Sequence, residues 1–438
     1  MKTAELAASD RSTLWHPFTQ QQGWHDEDAP IIDHAQGCVV VDTEGREYLD
    51  GTSSLWCNVH GHRHPVIDAA VKAQLDKVAH TTMLGLSHPG AIELGARLVD
   101  IAPDGLSRVF YSDNGATANE IALKMAYQYH HQAGEWWRSG YVCLQNSYHG
   151  DTIGAVSVGS IELFHSKYRP LLFETWAAEP GDVDAMEALL REHADTVGAV
   201  IVEPLVQGAA GIYLQPPGYL RAVRELCDQY GVFLIVDEVA TGFGRTGTMF
   251  ACEQEGVSPD FLVLGKGITG GYLPLAATLT TERVYEGFLG AHEELKTFFH
   301  GHTYTGNPLA CAAGLASLDV FEEEDTLGAL QPKIALLEAL LAEHVAPLDV
   351  VREIRQKGVM IGIELVGYPL ETRMGHRVTL AARERGAIVR PLGDTIVVMP
   401  PLVASEDELR RLVTITAEAI AAATAGVVPT ATVTADSA

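Results

Sequence analysis

The stretch "FLVLGKGITGGYLPL" at 261–275 places a lysine where a solvated charge is unexpected. Lys266 comes just after an apolar run and has a glycine on either side. Most lysines lie on the surface, but a lysine desolvated in a cleft has a lowered pKa and can form a Schiff base. The flanking glycines would let a ligand approach the backbone closely. Lys266 is therefore a candidate nucleophile.

Two further apolar runs end in an ionisable residue. Glu203 follows "AVIV" and Asp237 follows "FLIV". In parallel α/β sheets, ligands bind at the carboxyl ends of the strands, so both carboxyl groups and Lys266 are expected to share one crevice. Asp237 has two interpretations: it caps the next helix, or it pairs with a protonated ring nitrogen of a ligand.

The segment "FYSDNGATANEIALKMA" at 110–126 predicts a strand, a Ser-Asp-Asn-Gly-Ala turn and the start of a helix. The free backbone N–H groups at a helix start, together with the helix dipole, form an anion site. A helix with an ordinary N-cap is the alternative. The segment is not a Walker loop, and the chain contains no GxGxxG motif.

A tyrosine follows the next predicted strand, in "NSYHGDTIGAVSVGS" at 146–160. Tyr148 could stack on a flat cofactor, or it could be a half-buried tyrosine with a bonded hydroxyl. An anion site, a stacking ring, a carboxylate for a ring nitrogen and a Schiff-base lysine are together the requirements of pyridoxal phosphate.

These residues need a scaffold of alternating strands and helices. Short, nearly continuous apolar strands are predicted at 108–112, 141–145, 199–204, 232–239 and 261–267, and helices between them at 119–129, 184–194 and 218–231. This alternation is typical of an α/β fold with a mostly parallel sheet covered on both faces.

The C-terminal part changes to a long helix, extended segments and a final helix near 406–423, which indicates a smaller α+β domain. The hairpin signal at Thr43-Glu44-Gly45 indicates that the N-terminal segment joins that domain. We expect four parts, which are an N-terminal part of the small domain (1–56), a large cofactor-binding domain (57–316), a C-terminal part of the small domain (317–424) and a mobile tail (425–438).

Composition limits the possible partners. The 438 residues carry a formal net charge of −27, which argues against nucleic acid or an anionic membrane as a partner. The six cysteines are widely spread without a CxxC pair, and the first residues lack the apolar stretch of a secretion signal. We therefore expect a cytoplasmic protein with reduced cysteines.

Three histidines in "HGHRHP" would share one face of a strand, as zinc ligands sometimes do: His60, His62 and His64. No cysteine or carboxylate completes the set, so we expect no metal. Cys57 has no nearby histidine arrangement that would mark a catalytic thiol.

The ordered run "LIVDEVATGFGRTG" followed by "DFLVLGKGITGGYLPL" resembles the signature of the class III aminotransferases of fold type I, and the resemblance extends over nearly the whole chain. Within this class, the chain most resembles the 8-amino-7-oxononanoate aminotransferases of biotin synthesis. This narrower resemblance rests on the segments "LWHPFTQ", "DGTSSLWCNVHGHRHP", "HGHTYTGNPLACAA" and "RPLGDTIVVMPPL".

The resemblance implies roles for the residues above. Lys266 would bind pyridoxal phosphate covalently and move the proton during transfer, and Asp237 would keep the pyridine nitrogen protonated. Gly115 and Ala116 would present N–H groups to the phosphate. Tyr148 would stack on the ring and contribute to catalysis and substrate binding.

The resemblance also implies a homodimer with shared sites. Thr303 would reach the phosphate of the partner subunit's cofactor, with Gly301 and His302 beside it, Gly301 on the substrate side. Glu203 would support the ring's substituents. Arg390 would bind the substrate carboxylate, since a guanidinium can bind a carboxylate through two hydrogen bonds. Phe18 and Trp56 would line an apolar substrate pocket.

Three positions depart from the common pattern of the family. Phe18, Leu55 and His302 stand where many members that use S-adenosylmethionine as amino donor have Tyr, Trp and Pro. The changes resemble a branch that includes lysine-using enzymes. We expect S-adenosylmethionine as donor, with lysine as the first alternative and an ω-aminotransferase for ornithine, 4-aminobutyrate or β-alanine as the second.

Overall fold

The strands and helices are those of a computed structural model, which describes residues 2–430. The strands are β1 (Ile32–Gln36), β2 (Val39–Asp42), β3 (Glu47–Asp50), β4 (Leu106–Ser112), β5 (Gly140–Leu144), β6 (Trp176–Ala178), β7 (Val197–Val202), β8 (Val206–Gln207), β9 (Tyr213–Leu214), β10 (Phe233–Asp237), β11 (Phe261–Leu264), β12 (Ala276–Thr281), β13 (Val351–Lys357), β14 (Met360–Leu365), β15 (Ala387–Ile388), β16 (Arg390–Leu392) and β17 (Thr395–Val398).

The helices follow the same chain order. They are α1 (Thr3–Thr13), α2 (Gln21–Asp26), the irregular turn α3 (Ser53–Trp56), α4 (Pro65–Leu75), α5 (Pro89–Ile101), α6 (Gly115–Gln132), α7 (Ile153–Ser157), α8 (Glu162–His165), α9 (Val183–Glu192), α10 (Tyr219–Tyr230), α11 (Glu282–Glu286), α12 (Pro308–Glu323), α13 (Thr326–His344), α14 (Met374–Glu384) and α15 (Glu406–Thr424).

A seven-stranded sheet in the order β4-β12-β11-β10-β7-β5-β6 carries the predicted site. The contacts between β11, β10, β7, β5 and β6 are all parallel, and β12 runs antiparallel to both of its neighbours. Every residue of β7, β10 and β11 is buried, because helices cover both faces of the sheet. The expected mostly parallel α/β sheet is confirmed.

Helix boundaries follow local sequence signals. At the start of α6, the side chain of Asn114 accepts a hydrogen bond from the Thr117 backbone N–H, which is an N-cap. Gly218 and Gly231 enclose α10 in left-handed conformations, with φ of 86° and 64°. The predicted strands and helices of the large sheet are present, and their ends differ from the predicted ones by a few residues.

In the described residues, three smaller sheets lie outside the seven-stranded one, and one of them is the two-stranded pair β8-β9. Of the two four-stranded sheets, one is the antiparallel sheet β13-β14-β17-β16, and the other joins the N-terminal hairpin to the C-terminal region through parallel pairing of β3 with β15. The hairpin predicted at Thr43-Glu44-Gly45 connects β2 and β3. Helices α14 and α15 pack against these sheets, and α13 packs against α15.

The four-part domain division stays a proposal. Helix α12 runs without a break through residue 316, where one boundary was predicted. Of the predicted tail, residues 425–430 form no helix or strand, and residues 431–438 lie outside the described part of the chain. In the part that is described, no helix has the length and hydropathy needed to span a membrane.

Candidate active site

A cavity of about 760 Å³ opens at the carboxyl ends of the parallel strands. The sequence-predicted residues that line it are Phe18, Trp56, Gly115, Ala116, Tyr148, Glu203, Asp237, Lys266 and Arg390. Residues from the N-terminal segment, the large sheet and β16 therefore meet in one space, as the strand-end argument predicts.

Lys266 lies two residues beyond the end of β11, at the start of a 3₁₀ turn, Lys266–Thr269. Its φ of 42° is left-handed, which is uncommon for a residue with a side chain. Burial lowers the pKa of Lys266, although the nearby charges of Asp237 and Glu203 act to raise it. The centre of the Trp56 ring lies 5.3 Å from Nζ. A desolvated amine of this kind is suited to nucleophilic attack on a carbonyl.

Asp237 is the last residue of β10 and is held by three donors. Its Oδ2 contacts His149 Nδ1 at 2.7 Å and accepts a hydrogen bond from Asn119 Nδ2 at 2.8 Å. Its Oδ1 accepts one from the Val239 backbone N–H at 3.0 Å. The carboxylate therefore has a fixed orientation in the cavity wall, where it can pair with a cationic ring nitrogen.

Sequence reasoning missed both side chains that hold Asp237. His149 directly follows Tyr148 in the quoted segment and is almost fully buried. Asn119 is a fully buried polar residue on the inner face of α6. A polar residue at an apolar helical position was the available signal for Asn119.

Glu203 follows β7 and is also buried, so desolvation raises its pKa to about 7. Its two oxygens accept hydrogen bonds from the backbone N–H groups of Tyr148 at 3.2 Å and Gly208 at 2.9 Å. Glu203 thereby connects β7 to the segment that carries Tyr148. It lines the cavity, but its hydrogen bonds to the protein identify it first as a support for that segment.

The start of α6 forms a narrow cradle. A Cβ on Gly115 would lie 2.7 Å from Cγ1 of Val239, so only glycine fits without a shift. A Cβ on Gly150 would lie 2.3 Å from Cβ of Ala116, which shows how closely the two segments approach. The first N–H groups of a helix have no partner within the helix, and here they line the cavity. They fit a phosphate group.

Tyr148 lies in the cavity wall between the acidic groups and an aromatic cluster. Its hydroxyl donates to Asp151 Oδ2 at 2.8 Å, and burial raises the pKa of the phenol. The centre of its ring lies 6.3 Å from the ring centre of Phe164, which is edge-on, and 6.4 Å from that of His165, which is stacked. These neighbours fix the plane of the ring that was predicted to stack on the cofactor.

The cavity wall also contains apolar side chains and the cation of Arg390. Phe18 contacts Phe164 edge-on at 5.5 Å, and both line the cavity with Trp56. Arg390 begins β16, and burial lowers the pKa of its guanidinium. Within residues 2–430 the guanidinium donates no hydrogen bond and forms no ion pair, although it is half-buried. It is therefore available to a ligand carboxylate.

Three predicted residues lie outside this cavity. Gly301 and His302 line a separate cavity of about 660 Å³, and Thr303 is exposed beside them. His302 Nδ1 lies 3.3 Å from Asp113 Oδ2, which places the segment close to the turn before α6. A single chain therefore does not bring Gly301, His302 and Thr303 to its own Lys266.

The three histidines of "HGHRHP" do not converge. His60 Nε2 contacts Ser317 Oγ at 3.0 Å, His62 Nε2 contacts Asp50 at 3.0 Å and His64 Nε2 contacts Glu324 at 3.1 Å. Each imidazole thus has a separate structural partner.

The residues fit pyridoxal phosphate. The α6 cradle would accept the phosphate, Asp237 could pair with the ring nitrogen, Tyr148 offers a flat surface and Lys266 offers an amine for the aldehyde. This donor set comes from four separate segments, so its assembly in one cavity depends on the fold.

Comparison with known proteins agrees with this chemistry. The family profile "Aminotransferase class-III" matches residues 22–420. A protein of Nitratidesulfovibrio vulgaris named adenosylmethionine-8-amino-7-oxononanoate aminotransferase is 57% identical, over 97% of this chain and 83% of that protein. A protein of Aquifex aeolicus with the same name is 52% identical, over 92% and 94% of the two chains.

Solved structures give the same result. The crystal structure of adenosylmethionine-8-amino-7-oxononanoate aminotransferase from Methanocaldococcus jannaschii has a TM-score of 0.94 and 44% identity, covering 95% of this chain and 98% of the other. An amine transaminase from an uncultivated Pseudomonas species, in its PLP-bound form, has a TM-score of 0.88 and 36% identity, covering 94% and 99%. The chain belongs to the class III aminotransferases and is a pyridoxal-phosphate-dependent aminotransferase of fold type I.

Proposed function

We propose that the protein transfers an amino group to the 7-keto group of 8-amino-7-oxononanoate, forming the 7,8-diaminononanoate of biotin synthesis. The observation that carries the proposal is the guanidinium of Arg390, which has no hydrogen bond or ion pair within residues 2–430 and lines the same largely apolar cavity as Lys266. A long hydrocarbon stem with a terminal carboxylate matches this layout. The names of the relatives from N. vulgaris and A. aeolicus support the same substrate.

Each residue of the site has a separate role in this proposal. When bound, pyridoxal phosphate supplies the electron sink that makes proton removal from the substrate carbon feasible. Lys266 would hold the cofactor through Nζ, and the same amine would accept the proton that leaves the substrate carbon. Asp237 would stabilise a cationic ring nitrogen, and the N–H groups of Gly115 and Ala116 would hold the phosphate. The ring of Tyr148 and the apolar side chains of the cavity keep the reacting atoms in place and exclude water.

We propose S-adenosylmethionine as the amino donor, with lysine as the alternative. The names of the relatives favour the first. The apolar residues Phe18 and Leu55 favour the second, because both lie in the cavity wall without the polar or larger groups common among users of S-adenosylmethionine. The amine transaminase of Pseudomonas represents the more distant alternative, an ω-aminotransferase for other substrates.

Product analysis separates these alternatives. The purified, cofactor-loaded protein is incubated with 8-amino-7-oxononanoate and either S-adenosylmethionine or lysine, and mass spectrometry monitors replacement of the keto oxygen by an amino group. We expect the diamine with S-adenosylmethionine. Diamine with lysine alone would assign the lysine-using branch. No diamine with either donor, from a protein that still transaminates simple amines, would contradict the proposed substrate.

We also propose a homodimer with shared sites. The segment with Gly301, His302 and Thr303 lies outside its own cavity, so these residues are available to a partner's cofactor. Large apolar side chains near this segment are exposed, and they are Leu84 (76%), Ile92 (61%), Phe299 (78%) and Tyr304 (56%). Exposed apolar side chains clustered in this way are typical of a protein interface.

We place the reaction in the cytoplasm. All six cysteines are free in the structure, and five of them are buried, which suits a reducing compartment. The strongly acidic net charge is compatible with small-molecule substrates and does not favour nucleic acid as a partner.

A further inference from the structure

Arg245 is a buried arginine outside the cavity that no step above uses. It lies in the loop after β10, and 1% of its surface is exposed. Its Nη1 donates to Ser53 Oγ at 3.1 Å and to the Pro400 carbonyl at 3.0 Å, and its Nη2 donates to the Asn58 carbonyl at 2.7 Å. The guanidinium thus connects its own loop to two segments that are distant in sequence, Ser53–Asn58 and the one that contains Pro400.

This cation has no paired anion. Within residues 2–430, no carboxylate forms a salt bridge with Arg245, and its Nε is buried without a hydrogen-bond partner. Desolvation lowers the pKa of the guanidinium to about 10. A buried, unpaired charge destabilises a fold, so its presence calls for a compensating role.

The segment held by Arg245 has a strained backbone. Ser53, Ser54 and Trp56 have positive φ values of 50°, 61° and 63°, a region that residues with side chains rarely occupy. Arg245 contacts the two ends of this segment, at Ser53 and Asn58. Such conformations persist only where surrounding contacts enforce them.

Other contacts in the segment help but do not replace Arg245. Asp50 accepts a hydrogen bond from the Ser54 N–H at 2.8 Å, and Ser53 Oγ donates to the Met399 carbonyl at 2.7 Å. Asp50 fixes the beginning of the segment only. Arg245 contacts Asn58, which lies beyond Trp56, and so holds the segment on both sides of the tryptophan.

The held segment carries a wall of the active site. Trp56 lines the cavity, and its ring centre lies 5.3 Å from Nζ of Lys266. The indole Nε1 is buried without a hydrogen-bond partner, so no side-chain hydrogen bond of its own fixes the ring within the described chain. The orientation of the ring depends on the backbone of Ser53–Asn58 and on packing, including the close approach of Gly208.

We propose that Arg245 is a positioning residue, which holds the strained segment Ser53–Asn58 so that Trp56 packs against Lys266. The guanidinium acts through Trp56 and does not itself line the cavity. The inference does not depend on which amino donor or keto substrate the enzyme uses, because Trp56 adjoins the lysine that every half-reaction requires.

Hydrogen exchange tests the proposal in the cofactor-loaded protein. In the structure, the N–H groups of Trp56 and Cys57 donate to Thr52 and Ser53 at 2.9 and 3.0 Å. In Arg245→Lys, which keeps a positive charge but loses the forked donor, we expect exchange of the peptide spanning 52–58 to accelerate about tenfold or more. Ser53→Ala, which removes a single contact, should give a smaller acceleration.

Arg355→Lys is the matched control. Arg355 is also largely buried and also donates to a backbone carbonyl of another segment, that of Gly211, but it does not contact residues 52–58. This variant should leave the exchange of that peptide unchanged. Equal acceleration in both variants would indicate general loosening, and unchanged exchange in Arg245→Lys would overturn the proposal.

A double-mutant cycle tests whether Arg245 acts through the tryptophan. We expect Arg245→Lys to lower kcat about tenfold in the wild-type background and to have little further effect when Trp56 is already alanine. The circular dichroism of the bound cofactor should change in the single Arg245→Lys variant. Fully additive losses with unchanged dichroism would show that Arg245 does not position Trp56.

Discussion

At the residue scale, the site depends on side chains that hold the reacting ones. Asp237 has the charge that a cationic ring nitrogen needs, but His149 and Asn119 determine its orientation. Lys266 has a lowered pKa because the fold desolvates it at the end of β11. Chemical type and strand-end position can therefore be read from the sequence, whereas the side chains that orient Asp237 cannot.

Asp237→Asn tests the carboxylate. The amide retains the shape but cannot neutralise a cationic nitrogen, so we expect kcat to fall by ~10²–10³, the usual range for removing an electrostatic group from a preorganised site. Asn119→Ala should cost less, because His149 and the Val239 N–H still hold Asp237. The measurement is the rate of the first half-reaction by stopped-flow absorbance. Similar rates for wild type and Asp237→Asn would contradict the role.

Glu203 gives a prediction for pH dependence. Burial raises its pKa to about 7 from an ordinary 4.5, so between these values the folded protein retains a proton that the unfolded chain has released. The free energy of unfolding therefore falls as the pH rises through this window. Glu203→Gln cannot ionise, and its stability relative to wild type should rise between about pH 5 and about pH 8, by ~3 kcal/mol at most.

Thermal unfolding at the two pH values measures this effect. Glu282→Gln is the control, because the hydrogen bond from Arg108 holds the pKa of that exposed carboxyl below its ordinary value, outside the window. The control variant should show no pH-dependent difference from wild type. A constant difference for Glu203→Gln across the window would show that Glu203 is ionised throughout.

At the element scale, the start of α6 packs closely against the loop after β10 because Gly115 has no side chain. Gly115 leaves room for Val239, which a Cβ would approach to 2.7 Å. This contact positions the N–H groups of the helix start toward the cavity. The helix start and its cap were visible in the sequence, whereas the close approach of Val239 was not.

Gly115→Ala should weaken cofactor binding about tenfold, since the clash moves the helix start away from the phosphate. Val239→Ala removes the atoms that clash, so the double variant should regain most of the affinity. The dissociation constant is measured by titrating the protein, freed of cofactor, with pyridoxal phosphate. An unaffected Gly115→Ala variant, or one that Val239→Ala does not rescue, would contradict this account.

Prediction from sequence succeeded for strands and helix starts that have a strong local sequence pattern. The buried strands β7, β10 and β11 and the α6 cap all have strong patterns, and Lys266, Asp237 and Glu203 lie at or just after strand ends as expected, while their roles stay predictions. Asn119 and Arg245 were missed because each acts through partners more than 100 positions away in the chain. Such contacts depend on tertiary packing, which periodicity does not encode.

At the scale of the whole molecule, the account requires two chains for one complete site. The segment with Thr303 lies beside exposed apolar side chains and outside its own cavity. An interface over this face would bury those side chains and bring Thr303 to the partner's cofactor. Ile92 lies in the same face and lines the same cavity as Gly301.

Hybrid dimers test the shared site. Lys266→Ala and Thr303→Arg should each be inactive, the first through its own site and the second through the partner's. After mixing and subunit exchange, a hybrid has one site with an intact Lys266 and an intact Thr303, so part of the activity should return. Persistent inactivity in a mixture that does form hybrids would contradict sharing. Ile92→Glu should shift the protein toward monomer in sedimentation experiments.

The central claim is that Lys266 binds the cofactor covalently and that the amino donor displaces Lys266 from it. The most direct measurement is reduction of the cofactor-loaded protein with borohydride, followed by peptide mapping. The account predicts a phosphopyridoxyl label on Lys266 alone, which disappears when the amino donor is added before reduction. A label on another lysine, or a label on Lys266 that no amino donor removes, would contradict it.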